Sequence, residues 1–137
     1  MNKINRKVEY ALMSLKYMTL KIPGDLTSAK EVSETFKTPF DATAKVMQVM
    51  AQSGLLRSEH GTNGGYQIAG NLDQTSLLNL LEMIEGPTSL VKCFQKEAQC
   101  EIKGQCNIIS PIHNLNQKYQ DFFEKVTLKE LLVNHES

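Results

Sequence analysis

The residues best suited to chemistry are Cys93, Cys100 and Cys106, spaced Cys93-x6-Cys100-x5-Cys106. Thiolates are preferred ligands of zinc and of iron-sulfur clusters, and three of them in one loop can converge on a single centre without a rigid scaffold. The stretch around them holds Gly104 and few apolar side chains, so it reads as a loop organised by something other than a hydrophobic core. A cluster held only by protein needs a fourth donor, and there is no fourth cysteine. Three thiols do not make a disulfide framework, and in a cytosolic setting they stay reduced. Zinc, or thiol oxidation without any cluster, is open to the same residues. An enzyme with a cysteine nucleophile is disfavoured: His60, His113 and His135 fall in a hairpin loop, a helix and the tail, and no motif sets a base beside a thiol.

A second chemistry is contact with a polyanion. The 137 residues carry 15 basic and 15 acidic side chains, so total charge decides nothing. The distribution leans one way: residues 1–70 hold nine basic and six acidic groups, and the rest of the chain reverses that balance. Candidate phosphate or base contacts are Ser28, Lys30, Lys37, Thr38, Thr43, Lys45 and Arg57, which fall at helix ends or on a helix that could face a groove. His60, Gly61, Gly64 and Gly65 form a hairpin tip in which glycines allow close approach to a sugar-phosphate wall.

The elements that must position these groups follow from periodicity. Ile4, Val8, Leu12, Leu15, Met18 and Ile22 predict one amphipathic helix ending at Pro23-Gly24. Ser28 and Glu31 predict a capping box for a second, with Ala29, Val32 and Phe36 inward. Thr38 as cap and Pro39 as first residue open a third, with Phe40, Ala44, Met47 and Met50 on its inner face and Gly54 as its stop. Strands are expected at 55–58 and 66–69, joined by a glycine-rich loop. Leu77, Leu80, Leu81 and Ile84 mark a fourth helix ending at Gly86-Pro87. Ser110-Pro111 opens a long helix whose Ile112, Leu115, Tyr119, Phe122 and Val126 step at coiled-coil spacing, and Thr127 with Glu130 caps a short last helix.

The expected fold class is mostly α with a small β-hairpin: a winged helix-turn-helix at 1–86, a cysteine loop at 87–107, and a long C-terminal dimerisation helix with a short final helix at 108–137. The chain has no secretory signal and no stretch near the roughly 20 apolar residues of a membrane span, so a cytoplasmic location is expected.

Val8-Glu9-Tyr10-Ala11-Leu12, the run Ser53-Gly54-Leu55-Leu56-Arg57-Ser58 with His60-Gly61-Thr62-Asn63-Gly64-Gly65-Tyr66, and the three cysteines together resemble the Rrf-two family of bacterial regulators, the group that includes IscR and NsrR. The resemblance covers nearly the whole chain. It implies a homodimeric transcription regulator that binds a two-fold symmetric DNA operator and carries a 2Fe-2S or 4Fe-4S iron-sulfur cluster sensing redox state, nitric oxide or iron-sulfur status. It also implies candidates for the fourth donor. IscR-like members place a histidine three residues after the last cysteine, where this chain has Ile109; NsrR-like members use an acidic residue before the Tyr-Ala-Leu segment, which Glu9 matches. His113 is the competing donor. The family's usual wing arginine is replaced by His60, and Lys45 is the one base within the recognition helix. A winged helix used only for protein contact is the remaining rival.

Overall fold

The computed structural model describes residues 4–86 and 107–133. Cys93, Cys100 and Cys106 lie outside the described residues, as does His135. Helix α1 (Arg6–Thr19) starts where the Asn5 side chain accepts the Val8 N–H at 3.1 Å. Val8, Ala11, Leu15 and Met18 turn inward at helical steps. The helix ends four residues before Pro23. Leu20 and Lys21 already donate to the carbonyls of Tyr17 and Met18 in a tightened last turn, and Asp25 N–H closes a turn onto Ile22. Ile4 and Ile22, expected on the inner face, are therefore 41% and 73% exposed.

Helix α2 (Ala29–Phe36) is capped by Ser28, whose hydroxyl accepts the Glu31 N–H at 3.0 Å. The reciprocal half of the expected capping box is replaced by a clamp between elements: Glu31 Oε2 accepts from Tyr17 Oη at 2.5 Å and meets Lys21 Nζ at 2.8 Å. Lys37 then takes the left-handed conformation (φ 58°), which turns the chain toward the next helix. Helix α3 (Phe40–Gln52) begins one residue later than expected, with Pro39 at the cap position. The Thr38 hydroxyl is engaged elsewhere, 2.7 Å from that of Thr43, which itself donates to Pro39 O at 2.8 Å. Val46, Met47 and Met50 are buried, each side chain of this size contributing roughly 1.5–3 kcal/mol. Phe40, expected in the core, is 53% exposed.

Gly54 (φ 90°) stops α3, and strands β1 (Leu56–Glu59) and β2 (Gly65–Ile68) pair antiparallel with Leu56 opposite Ile68 and Glu59 opposite Gly65. The hairpin is tied to the start of α2 by two backbone hydrogen bonds between Thr27 and Tyr66, at 2.8 and 2.9 Å. Helix α4 (Leu77–Glu85) opens with a full capping box between Ser76 and Asn79 and ends at Gly86. Helix α5 (Ile109–Lys125) packs on α4. Helix α6 (Leu128–Leu132), capped by Thr127, returns Leu128 and Leu132 to the core formed by α1, α3 and α4, and Lys16 Nζ donates to Leu132 O at 2.6 Å. The architecture is a winged helix-turn-helix, mostly helical, with a two-stranded wing.

Candidate nucleic-acid interface

Burial of Val46, Met47 and Met50 fixes which side of α3 faces solvent. Asp41, Lys45, Gln48 and Gln52 occupy that side at steps of four, three and four. Among the described residues, Lys45, Gln48 and Gln52 make no side-chain hydrogen bond or ion pair, so their polar ends are available to a ligand. Gln48 and Gln52 border a cleft of about 510 Å³ whose opposite wall is the wing, including Ser58, His60, Gly61 and Gly64. Sequence reasoning missed Gln48, Gln52 and Ser58. The signal for both glutamines was present, since they continue the helical repeat from Lys45 opposite Met47 and Met50.

Other expected contacts land unevenly. Lys30 and Lys37 are exposed at the two ends of α2, and Ser28 and Lys30 share a depression with Glu34. Thr38 is half-buried in the turn. Thr43, expected at the groove, is fully buried: its hydroxyl is spent on Pro39 O and Thr38, so it fixes the entry of α3 and cannot reach a phosphate. Arg57 Nε lies 3.5 Å from Glu59 Oε1, with side chains 62% and 48% exposed. Exposed pairs of this kind are worth about 0–1 kcal/mol, so a phosphate can compete for the guanidinium.

The wing glycines divide by physical role. His60 and Gly61 are exposed at the tip, and Gly61 has φ 122° with open space where a Cβ would stand. Gly64 and Gly65 are also required by the protein's own packing. A Cβ would meet Glu59 O at 2.4 Å from Gly64, and the Thr27 backbone at 2.9 Å from Gly65. At those two positions the hairpin closes on itself and on Thr27, a need for glycine that stands beside their place in the cleft wall.

Hydrogen bonding from Lys21 and then Tyr17 holds the Glu31 carboxyl below its ordinary pKa, and the bond to Glu31 raises the Tyr17 phenol. This cluster, with Lys21 also 5.2 Å from the Tyr17 ring centre and Tyr17 edge-on to Phe36, sets α2 against α1.

Of the expected metal donors, Glu9 lies in the first turn of α1 with its side chain 49% exposed and Arg6 Nε 3.9 Å away, a loose engagement that leaves the carboxylate able to accept another ligand. His113 lies on α5. Among the described residues no three His, Cys, Asp or Glu side chains gather in a metal-binding group. Along α5, Leu115 and Phe122 are 53% and 63% exposed, and Ile112 and Tyr119 are half-buried. No described helix is long and apolar enough to cross a membrane.

Residues 4–134 match the family described as Rrf2, iron-dependent transcriptional regulator. Among curated proteins, the HTH-type transcriptional regulator NsrR of Shouchella clausii is 26% identical over 129 residues, covering 93% of this chain and 87% of its own. Among solved structures, CymR of B. subtilis, titled the global cysteine regulator, superposes with TM-score 0.73 at 21% identity over 99% of this chain and 100% of its own. IscR of T. potens does so with TM-score 0.70 at 16% identity, over 98% and 89% respectively.

Proposed function

The chain belongs to the Rrf2 family of transcriptional regulators, and from that premise we propose that its grip on a two-fold symmetric operator is set by an iron-sulfur cluster carried on Cys93, Cys100 and Cys106. The observation that carries this reading is where the thiols fall: in the one stretch of chain joining α4, which packs on α1 and α3, to α5 with its exposed apolar stripe. A change at that junction bears on both the reading helix and the seam between two copies.

The donor set suits such a group: three soft thiolates and, in Glu9, an exposed carboxylate held only loosely by Arg6. Bound there, the cluster supplies a centre reactive toward oxidants and nitric oxide, with its carboxylate side the most labile. The chain's own residues do the rest. Glu9 rides on α1, whose buried face packs on α3, so a donor at Glu9 ties the sensing loop to the reading head. Lys30, Lys37, Lys45 and Arg57 supply phosphate attraction, and Thr43 and Thr38 fix the angle at which α3 leaves the turn. The dimer acts in the cytoplasm, where the operator is.

Anaerobic purification tests the sensing half. Visible absorbance with matching iron and sulfide is expected, and Cys100→Ala should uncouple DNA affinity from redox or nitric oxide treatment. Coupling that persists in Cys100→Ala defeats the reading. A second reading, supported by the fold likeness to a structure titled a cysteine regulator, keeps the DNA role but makes thiol oxidation or zinc the signal. Colourless protein whose operator affinity follows thiol state or zinc would favour it.

A further inference from the structure

We propose that Gln48 is a base-reading residue of this protein and that it selects adenine in each operator half-site. The inference rests on the DNA-binding reading above and adds a specificity to it. Gln48 lies in the middle of α3, one turn beyond Lys45 on the solvent face, and its amide makes no hydrogen bond among the described residues. Half-buried Gln67 and exposed Gln117 are engaged, donating to Glu59 and Asp121, whereas exposed Gln52 and Gln74 share the free amide of Gln48, so its place on the solvent face of α3 is what distinguishes it. A glutamine amide offers one donor and one acceptor side by side, which matches the N6 donor and N7 acceptor that adenine presents in the major groove.

Position along the helix separates Gln48 from Gln52. Four residues of helix rise about 6 Å, which puts Gln52 at the last residue of α3 and Gln48 one turn nearer the helix N-terminus, with both bordering the cleft. With α3 in the major groove and the wing beside the backbone, the cleft between them receives a strand wall. A recognition helix reads base edges from its N-terminal part, so Gln48 stands nearer the base edges than Gln52, which meets sugar and phosphate. Lys45, one turn earlier and charged, serves phosphate or guanine equally and carries no adenine preference.

The test is selection of binding sites from a randomised duplex pool by wild-type protein and by Gln48→Ala, Gln48→Arg and Gln52→Ala. Wild type should enrich A·T at one position per half-site. Gln48→Ala should lose roughly tenfold to a hundredfold of discrimination there while the salt dependence of binding stays unchanged. Gln48→Arg should move the preference at that same position to guanine. Gln52→Ala should weaken all sequences alike. A uniform loss in Gln48→Ala, or a selected sequence that Gln48→Arg leaves unaltered, overturns the assignment while leaving DNA binding intact. Failure of wild-type protein to bind duplex DNA in a salt-sensitive way would instead remove the reading beneath it.

Discussion

At Gly65 an added methyl carbon would stand 2.9 Å from both the carbonyl carbon and oxygen of Thr27, and these are backbone atoms that cannot swing aside. Gly65→Ala should therefore break the Thr27–Tyr66 bridge, costing about 1–3 kcal/mol in urea denaturation. It should weaken operator binding with no change in salt slope, because no charge is lost. Gly61→Ala is the control: it meets no atom within 4 Å and suffers only its left-handed φ. Equal destabilisation by both substitutions would mean that closeness to Thr27 is not what Gly65 supplies. The sequence made all of these positions visible as a wing but not their division of labour, since a glycine needed for a neighbour's backbone and one needed for a turn are the same letter. Thr43 shows the converse limit. A threonine amid helix-entry residues suggests a groove contact, and only the packing of Met47 and Met50 rotates it inward. Gln48 carries no charge to mark it in a sequence, although its place in the helical repeat after Lys45 is readable.

Among elements, the clamp from Tyr17 and Lys21 on α1 and its following turn to Glu31 on α2 gives a pH prediction. Glu31 has its carboxyl pKa lowered in the folded protein, chiefly by Lys21 and then by Tyr17. Its contribution to stability is present above the unfolded carboxylate value, near 4.3, and is lost as pH falls through the lower folded value. The Tyr17 phenol is raised, so its share is present below about 10 and is lost as pH climbs through the folded value. Glu31 is 36% exposed on its side chain, so screening keeps the effect to about 1 kcal/mol at neutral pH. Glu31→Gln should lower neutral stability by that order and flatten the decline between pH 5 and the acid limit, measured by urea titration at several pH values. An acid limb as steep as that of wild type would show that other carboxylates set it. The elements themselves were largely legible: apolar repeats give the inner faces of α1, α3 and α4. Their ends were not, because Leu20 and Lys21 tighten the last turn of α1 and Thr38 spends its hydroxyl on Thr43, choices made by hydrogen bonds that hydropathy does not record. Each strand slipped by one residue for a related reason: β1 shows one buried residue followed by three exposed ones, which leaves no alternation to set the register.

For the whole molecule, the proposed pairing of two reading heads turns on α5. Leu115 and Phe122 stand 53% and 63% exposed on α5, a helix that already packs on α4 by another part of its surface. Phe123 receives the edges or faces of Tyr119 and Phe122, at 4.8 and 5.5 Å between ring centres, so the aromatic end of the stripe is held in place before any partner arrives. Apolar groups spaced by seven on one helix form a seam for an identical helix. The 17 residues of α5 reach about 25 Å, little more than two heptads, so such a seam has few layers and cannot absorb a buried charge. Replacing Leu115 and Phe122 together by glutamate should convert a dimer to a monomer in light scattering. Both side chains point to solvent in one chain, so the thermal transition of the monomer should persist. Losing one head removes half of the phosphate contacts, so the slope of log affinity against log salt should fall to about half, and a two-fold operator should bind no better than a single half-site. A doubly substituted protein that stays dimeric would place the seam elsewhere on the chain. One that becomes monomeric yet keeps full operator affinity would separate assembly from recognition, and the cysteine junction between α4 and α5 would then have to act on each head alone.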